Sequence, residues 1–227
     1  MMKIVSLNIG GNNDFASRLE SITGYLSRSS PDVTCLQEVM LQEDASPYSQ
    51  ARQINNVLNF PHITELITRY YVTSKGDAYK EGLAIISKHP LSNVEGFTHV
   101  KMPDDKHQRI ALLAEVETDS GTIRLANAHF SNNEYSRMQL SELTDLLSAR
   151  HEQRIIIGDF NMSPEDVSQL AGDGYQSSRD FKEYVSYPSK SETLDYALVP
   201  NGFSYKSVSA DDTQLSDHAP LTVEISS

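Results

Sequence analysis

The chain has 227 residues, 38% of them hydrophobic, with 7 Phe, 11 Tyr, no Trp and a single Cys. That length fits one domain over residues 1–227 with a sizeable core, and one cysteine excludes an intrachain disulfide and any multi-cysteine zinc or iron–sulfur site. The formal charge of −12, from 31 acidic against 19 basic residues, disfavours sequence-independent binding to polyphosphate backbones, which needs Lys and Arg to displace counterions.

The chain starts M-M-K-I-V-S-L-N-I-G-G, an apolar stretch too short for a secretory signal. Within it, residues 3–8 (K-I-V-S-L-N) read as a strand, followed by a helix over about 14–29. The next strand is D-V-T-C-L-Q-E (32–38), whose apolar run makes Cys35 a small core residue. A helix over 49–58 precedes strands at 82–87, 110–117 and 122–129, each marked by an apolar run or alternation. A helix over 134–150 leads to R-I-I-I-G-D (154–159), read as a buried strand. A helix over 164–171 has Ser163 as N-cap, Pro164 at its first position and Asp166 three residues after the cap. Strands at 195–199 and 221–225 close the series. Turn residues gather at 46–49, 103–106, 172–174 and 200–202, and no repeat or linker-like stretch separates domains. No window approaches the ~18 apolar residues of a membrane span, so a soluble, cytoplasmic protein is expected. Eight strands and four helices, partly clustered and partly alternating, predict an α/β (α+β) fold in which helices cover two sheets.

The ends of these strands share a feature. Apolar runs finish at Asn8, at Glu38, at His129, and at Asp159 with Asn161, and S-D-H-A-P-L places Asp217 and His218 just before the last strand. Each is a group that ligates metal, moves a proton or hydrogen-bonds an anion. Strand residues alternate faces, so Ile4, Ser6 and Asn8 share one, as do Ile123, Leu125, Asn127 and His129, and Ile155, Ile157 and Asp159; Asn161 continues the last if the chain stays extended. A face that is dry along its length and polar at its end lines the mouth of a cleft. Taken alone, Asp and Asn at a strand end are ordinary turn chemistry, Glu38 is a solvated strand end, and His129 is a satisfied histidine. Five such ends on one chain are not explained that way.

Together the segments S-L-N-I-G-G (6–11), L-Q-E-V (36–39), Y-K-E-G-L-A-I-I-S-K-H-P-L (79–91), R-I-A-L-L-A-E-V (109–116), N-A-H-F (127–130) with R-M-Q-L (137–140), G-D-F-N (158–161), T-L-D-Y-A-L-V (193–199) and S-D-H-A-P-L (216–221) resemble the endonuclease/exonuclease/phosphatase superfamily, over nearly the whole chain. The resemblance implies a four-layer, deoxyribonuclease I-like sandwich: two packed mixed sheets flanked by helices.

It also implies a metal-dependent phosphoesterase in which water attacks phosphorus in a phosphodiester or phosphomonoester. Oxygen ligands without thiolates select a hard cation, Mg²⁺ or Mn²⁺. Glu38 is the first choice of ligand, with Asn8 and Asp217 close by. By the same resemblance Asp159 positions or deprotonates the water, and Asn161 donates to a phosphate oxygen. His218 contacts the phosphate or acts as base, with Asp195 orienting its ring. His129 faces the phosphate from the other side, with Glu81 as its partner. Arg109 and Arg137 each either pair with a carboxylate or hold substrate phosphate, and the tyrosines at 70, 71, 79, 184 and 187 either stack on bases or sugars or belong to core and rim. The partner is a phosphate-ester substrate. A DNA or RNA endonuclease or exonuclease is the alternative, which the net charge disfavours, and a catalytically silent scaffold is a further one. Sequence leaves the substrate, the number of metals and the choice of base among Asp159, His129 and His218 open.

Overall fold

The computed structural model describes residues 1–11, 14–42, 46–72, 78–105, 107–211 and 213–227. Among them twelve strands form two six-stranded mixed sheets. The first sheet contains β1 (Met2–Asn8), β2 (Val33–Leu41), β3 (His62–Val72), β4 (Ala78–Ser87), β11 (Ser204–Ala210) and β12 (Leu221–Ser226) in the order β11-β12-β1-β2-β4-β3. The second contains β5 (Leu91–Thr98), β6 (Ile110–Thr118), β7 (Gly121–His129), β8 (Ile155–Asp159), β9 (Tyr175–Ser177) and β10 (Asp195–Pro200) in the order β5-β6-β7-β8-β10-β9.

Each sheet holds one parallel pair, and it is the central one: β1 with β2, and β7 with β8. A parallel pair needs a crossover, supplied by α1 (Phe15–Ser29) in the first sheet and α3 (Tyr135–Ala149) in the second. The C-terminal ends of paired parallel strands emerge at the same edge, which is where open α/β sheets bind ligands. This arrangement brings Asn8, Glu38, His129 and Asp159 to one rim.

Strand alternation sorts apolar side chains into three cores. Ile4, Val33, Cys35, Leu125, Ile155 and Ile157 face inward between the sheets. Val5, Leu7 and Leu36 point outward under α1 and α2 (Gln50–Leu58), against Ile22, Leu26 and Ile54. Ala126, Ala128 and Ile156 point outward under α3 and α4 (Pro164–Ala171), against Leu140, Leu143 and Val167. The result is helix, sheet, sheet, helix, as expected. The α4 cap is as read, with the Ser163 side chain accepting from the Asp166 backbone N–H and Pro164 in the first turn. Cys35 is fully buried, and burial pushes its thiol up to about 12.

The eight predicted strands are β1, β2, β4, β6, β7, β8, β10 and β12; the four not read from sequence, β3, β5, β9 and β11, are the four sheet edges. A central strand is covered on both faces and reads as an apolar run. An edge strand is half solvated: β5, L-S-N-V-E-G-F-T, has four consecutive exposed residues. Among the described residues one further α-helix, α5 (Ser178–Phe181), spans a single turn. No helix among the described residues is long and apolar enough to cross a membrane.

Candidate active site

Toward the C-terminal rim, the interior between the sheets changes from hydrocarbon to hydrogen bonds. One step above Cys35, the buried Gln37 amide donates to Asn127 Oδ1 at 2.7 Å and to Ser6 Oγ at 3.1 Å. The Asn127 amide donates to the Leu36 and Ala84 carbonyls, both at 3.0 Å. This polar rung ties β1, β2, β4 and β7 together beneath the next layer. Gln37 lies in the L-Q-E-V segment, but nothing in the sequence marks it as a bridge between sheets.

The next layer holds the predicted groups. Asp159 pairs in register with His129 of β7 on one side and Asp195 of β10 on the other. Asn8 Nδ2 donates to Asp159 Oδ2 at 3.0 Å across the sheets and to Glu38 Oε1 at 3.2 Å. His129 Nε2 and His218 Nε2 lie 3.5 and 3.7 Å from Asp159 Oδ2. His218 Nδ1 meets Asp195 Oδ2 at 2.8 Å.

Glu38 reaches this layer by a local irregularity. Alternation would send it outward beside Leu36. Instead the β2–β4 register shifts between Leu36 and Val39, and Glu38 adopts a left-handed φ of 54°. Such a bulge re-aims a side chain, and Glu38 joins Gln37 on the cleft side. Asn161 also departs from expectation, because the chain does not stay extended: its φ is 52°. Its backbone N–H donates to Asp159 Oδ1 at 3.1 Å and its amide to the Phe130 carbonyl at 3.1 Å, which keeps it at the cleft rim.

Ser216 of the S-D-H segment ties the loop that carries His218 to the end of β1. Its hydroxyl donates to the Asn8 carbonyl at 2.6 Å and accepts from the His218 N–H at 2.9 Å. Arg18 of α1 adds bonds to the Ile9 and Leu215 carbonyls at 2.8 and 2.7 Å. Gly10 passes so near the exposed Asp217 that a Cβ there would lie 3.2 Å from Asp217 Oδ1.

These groups open on a cleft of about 500 Å³ lined by Glu38, His129, Asp159, Asn161, Asp217 and His218 among others. Glu81 is on the same wall, but no hydrogen bond joins it to His129 among the described residues. Its carboxylate instead meets Arg69 Nη1 at 2.8 Å. Arg109 is buried beside them, and its Nε has no hydrogen-bond partner among the described residues. Arg137 points elsewhere, to Asp166 and Gln169 of α4. Of the tyrosines, Tyr184 is core and donates to the Asp195 carbonyl at 2.9 Å, and Tyr70 is exposed on β3. The Tyr187 ring lies 5.0 Å from the His218 ring at the cleft. The side chain of Tyr71 lies outside the described residues. Arg69, His107, Asn132, Tyr187, Lys190 and Glu192 also line the cleft. Arg69 escaped sequence reading because it sits on an edge strand, opposite Glu81 in register.

Burial pushes the Asp159 carboxyl up to about 7, reinforced by Asp195 and opposed by the charge of His218 and the Asn8 bond. Burial alone would lower His218, but the Asp195 carboxylate, its hydrogen bond, and Asp159 and Asp217 outweigh it and raise the imidazole to about 10. Burial and then the Arg109 charge hold His129 well below its ordinary value, leaving it neutral. Burial raises Glu81 against the pull of Arg69. The site thus contains a cationic imidazole, a neutral one and a carboxyl poised near neutrality, the spread of pKa values that acid–base chemistry requires.

The chemistry of the donors fits a hard divalent cation: carboxylates of Glu38, Asp159 and Asp217, the Asn8 amide, and no thiolate. Asp159, Asp195 and His218 bring ligand-type atoms within 4.8 Å of one another. In that group the imidazole and Asp195 already bond each other, and a protonated ring repels a cation.

A sequence model of the Endonuclease/Exonuclease/phosphatase family matches residues 5–218. An exodeoxyribonuclease III from Haemophilus influenzae is 28% identical over 185 residues, covering 76% of this chain and 62% of that protein. The chain therefore spans less than two thirds of that relative's length. Among solved structures, an endonuclease/exonuclease/phosphatase family protein from Leptotrichia buccalis superposes with a TM-score of 0.78 at 17% identity, over 100% of both chains. A mannosyl-6-phosphatase from Bacteroides thetaiotaomicron does so with a TM-score of 0.74 at 15% identity, again over 100% of both.

Proposed function

This chain belongs to the endonuclease/exonuclease/phosphatase family, and from that premise we propose that it hydrolyses a phosphate ester by water attack at phosphorus with Mg²⁺ or Mn²⁺, the whole of 1–227 acting as one domain. The observation that carries the reading is the convergence on Asp159 of Asn8, His129 and His218, from strands and loops of both sheets, within 3.0–3.7 Å.

Glu38 would hold the metal, with Asn8 and Asp217 beside it. The ion, when bound, offsets charge on the phosphate and the leaving oxygen. Asp159, near neutrality, accepts the proton of the attacking water. Asn161 donates from its amide to a phosphate oxygen. His218 stays charged to about pH 10 and stabilises the negative charge developing at phosphorus. Asp195 fixes its ring and tautomer through the 2.8 Å bond. His129, neutral, hydrogen-bonds the phosphate from the opposite wall. Arg69 and Arg109 make that wall cationic, and the Arg69 bond keeps Glu81 from cancelling it alone.

The substrate is a phosphodiester or phosphomonoester. A nuclease is the second reading, favoured by the exodeoxyribonuclease III relative and by the exposed Lys190 at the cleft. The test is hydrolysis of bis-(p-nitrophenyl) phosphate with Mg²⁺ or Mn²⁺, followed by plasmid DNA, abasic duplex, RNA, cyclic dinucleotides, sugar phosphates and lipid headgroups. Turnover should vanish with chelator and in His218→Ala. Turnover that survives both would refute the reading.

A further inference from the structure

The R-M-Q-L segment (137–140) has no part in the proposed chemistry, and its Arg137 pairs with α4. Its Gln139 is 1% exposed and lies on the face of α3 that carries Tyr135 and Glu142, positions i, i+4 and i+7 of one helix. Each of the three holds the segment between β5 and β6. The Tyr135 hydroxyl donates to Asp104 Oδ1 at 2.5 Å. Glu142 Oε2 meets His99 Nδ1 at 3.0 Å and accepts from the Val100 N–H at 3.3 Å. Gln139 Nε2 donates to Asp105 Oδ2 at 3.4 Å and to Ser131 Oγ at 3.0 Å, while its Oε1 accepts from the Ser131 N–H at 2.8 Å. The Ser131 hydroxyl completes the knot with a 2.6 Å bond to Asp105 Oδ2.

Asp105 is 5% exposed and does not line the cleft. Its other oxygen accepts from the His107 N–H at 3.1 Å, and the His99 N–H donates to the Arg109 carbonyl at 3.1 Å. His107 and Arg109 do line the cleft. The side chain of Arg109, buried with an unpartnered Nε, has no fixed bond of its own at that atom. Its placement depends on the backbone that carries it, and that backbone depends on α3.

We infer that Asp105, clamped by Gln139 and Ser131, is a positioning residue that sets substrate affinity by holding the His107 backbone, and with it the chain leading into Arg109, against the cleft. The affinity clause rests on the phosphoesterase reading; the clamp itself does not. Loosening the clamp leaves Asp159, His218 and Glu38 in place, so it acts on KM and spares kcat.

The experiment compares wild type, Asp105→Ala, Asp105→Asn and Gln139→Met, the last guarding against a variant that fails to fold. Steady-state kinetics on the best substrate of the panel should show KM raised about fivefold or more in Asp105→Ala and Gln139→Met, with kcat within about twofold. Asp105→Asn keeps one carbonyl acceptor and should recover part of the loss. Amide hydrogen exchange should quicken in His99–Asp105 and His107–Arg109 and not in β8 or β10. Unchanged KM in an active protein, or a fall in kcat at constant KM, overturns the affinity role. Unchanged exchange overturns the clamp. A wild type inactive on every substrate sinks the phosphoesterase reading and the affinity clause together, and exchange then decides the clamp by itself.

Discussion

Asp159 is buried and meets Asn8, the Asn161 N–H, His129 and His218, yet two of the charges that act on it, Asp195 and Glu38, are carboxylates. Its folded value of about 7 lies above the ~3.9 of an unfolded chain. The folded state therefore binds the proton more tightly, and stability is lost as pH rises from about 4 to 7. Metal-free Asp159→Asn should melt about 3 °C or more above wild type at pH 8 and show a markedly smaller gain at pH 5, while turnover falls ~10²-fold or more. Equal melting temperatures at pH 8 would mean that the carboxylate is not strained by its surroundings. Glu38 is the complementary case. It is half-buried and hydrogen-bonded by Asn8. Glu38→Gln removes a full charge where a cation would sit, and Mn²⁺ affinity measured by calorimetry should drop about tenfold or more. Undiminished affinity would move the ligand assignment elsewhere. Both residues were legible in the sequence as polar ends of apolar strands. The Glu38 bulge was not, because a register shift depends on the partner strand β4, which lies more than forty positions along the chain.

At the scale of the element, β8 shows why G-D-F-N begins with glycine. Gly158 adopts a φ of 146°, and a Cβ there would lie 1.9 Å from the Ala128 carbonyl oxygen of β7. The close approach brings Asp159 into register with His129. Gly158→Ala should lower stability by about 3 kcal/mol or more, read as a lower urea midpoint. A midpoint unchanged from wild type would show that β7 and β8 separate without cost. The edge strands teach the opposite lesson. β3 contributes Arg69 to the cleft, yet an edge has one covered flank and a mixed pattern that gives little periodic signal. Helices were easier, since α1 to α4 carry their own amphipathic pattern and, in α4, their own cap.

At the scale of the whole molecule, the site exists because two sheets expose the carboxyl ends of their central strands at one rim. Its pH behaviour belongs to the assembled set. Asp159 near 7 and His218 near 10 give a kcat/KM profile that rises as the carboxyl ionises and falls as the imidazolium loses its proton, with limbs that report the coupled group. A bound cation moves the lower limb to lower pH. His218 also stabilises the fold fully below about 6.5, its ordinary value, and that contribution is lost as pH rises through about 10. Activity that climbs through pH 10 would instead make neutral His218 the base and displace Asp159 from that role. The sequence by itself determined the central strands, the helices and the identity of the polar groups at the strand ends, because burial on both faces and alternation write those features locally. Only the tertiary structure decided which groups meet, such as Glu81 with Arg69 and Asn8 with Asp159. Those contacts depend on the register of the strands and on how the sheets face, and both are set by pairings between distant segments.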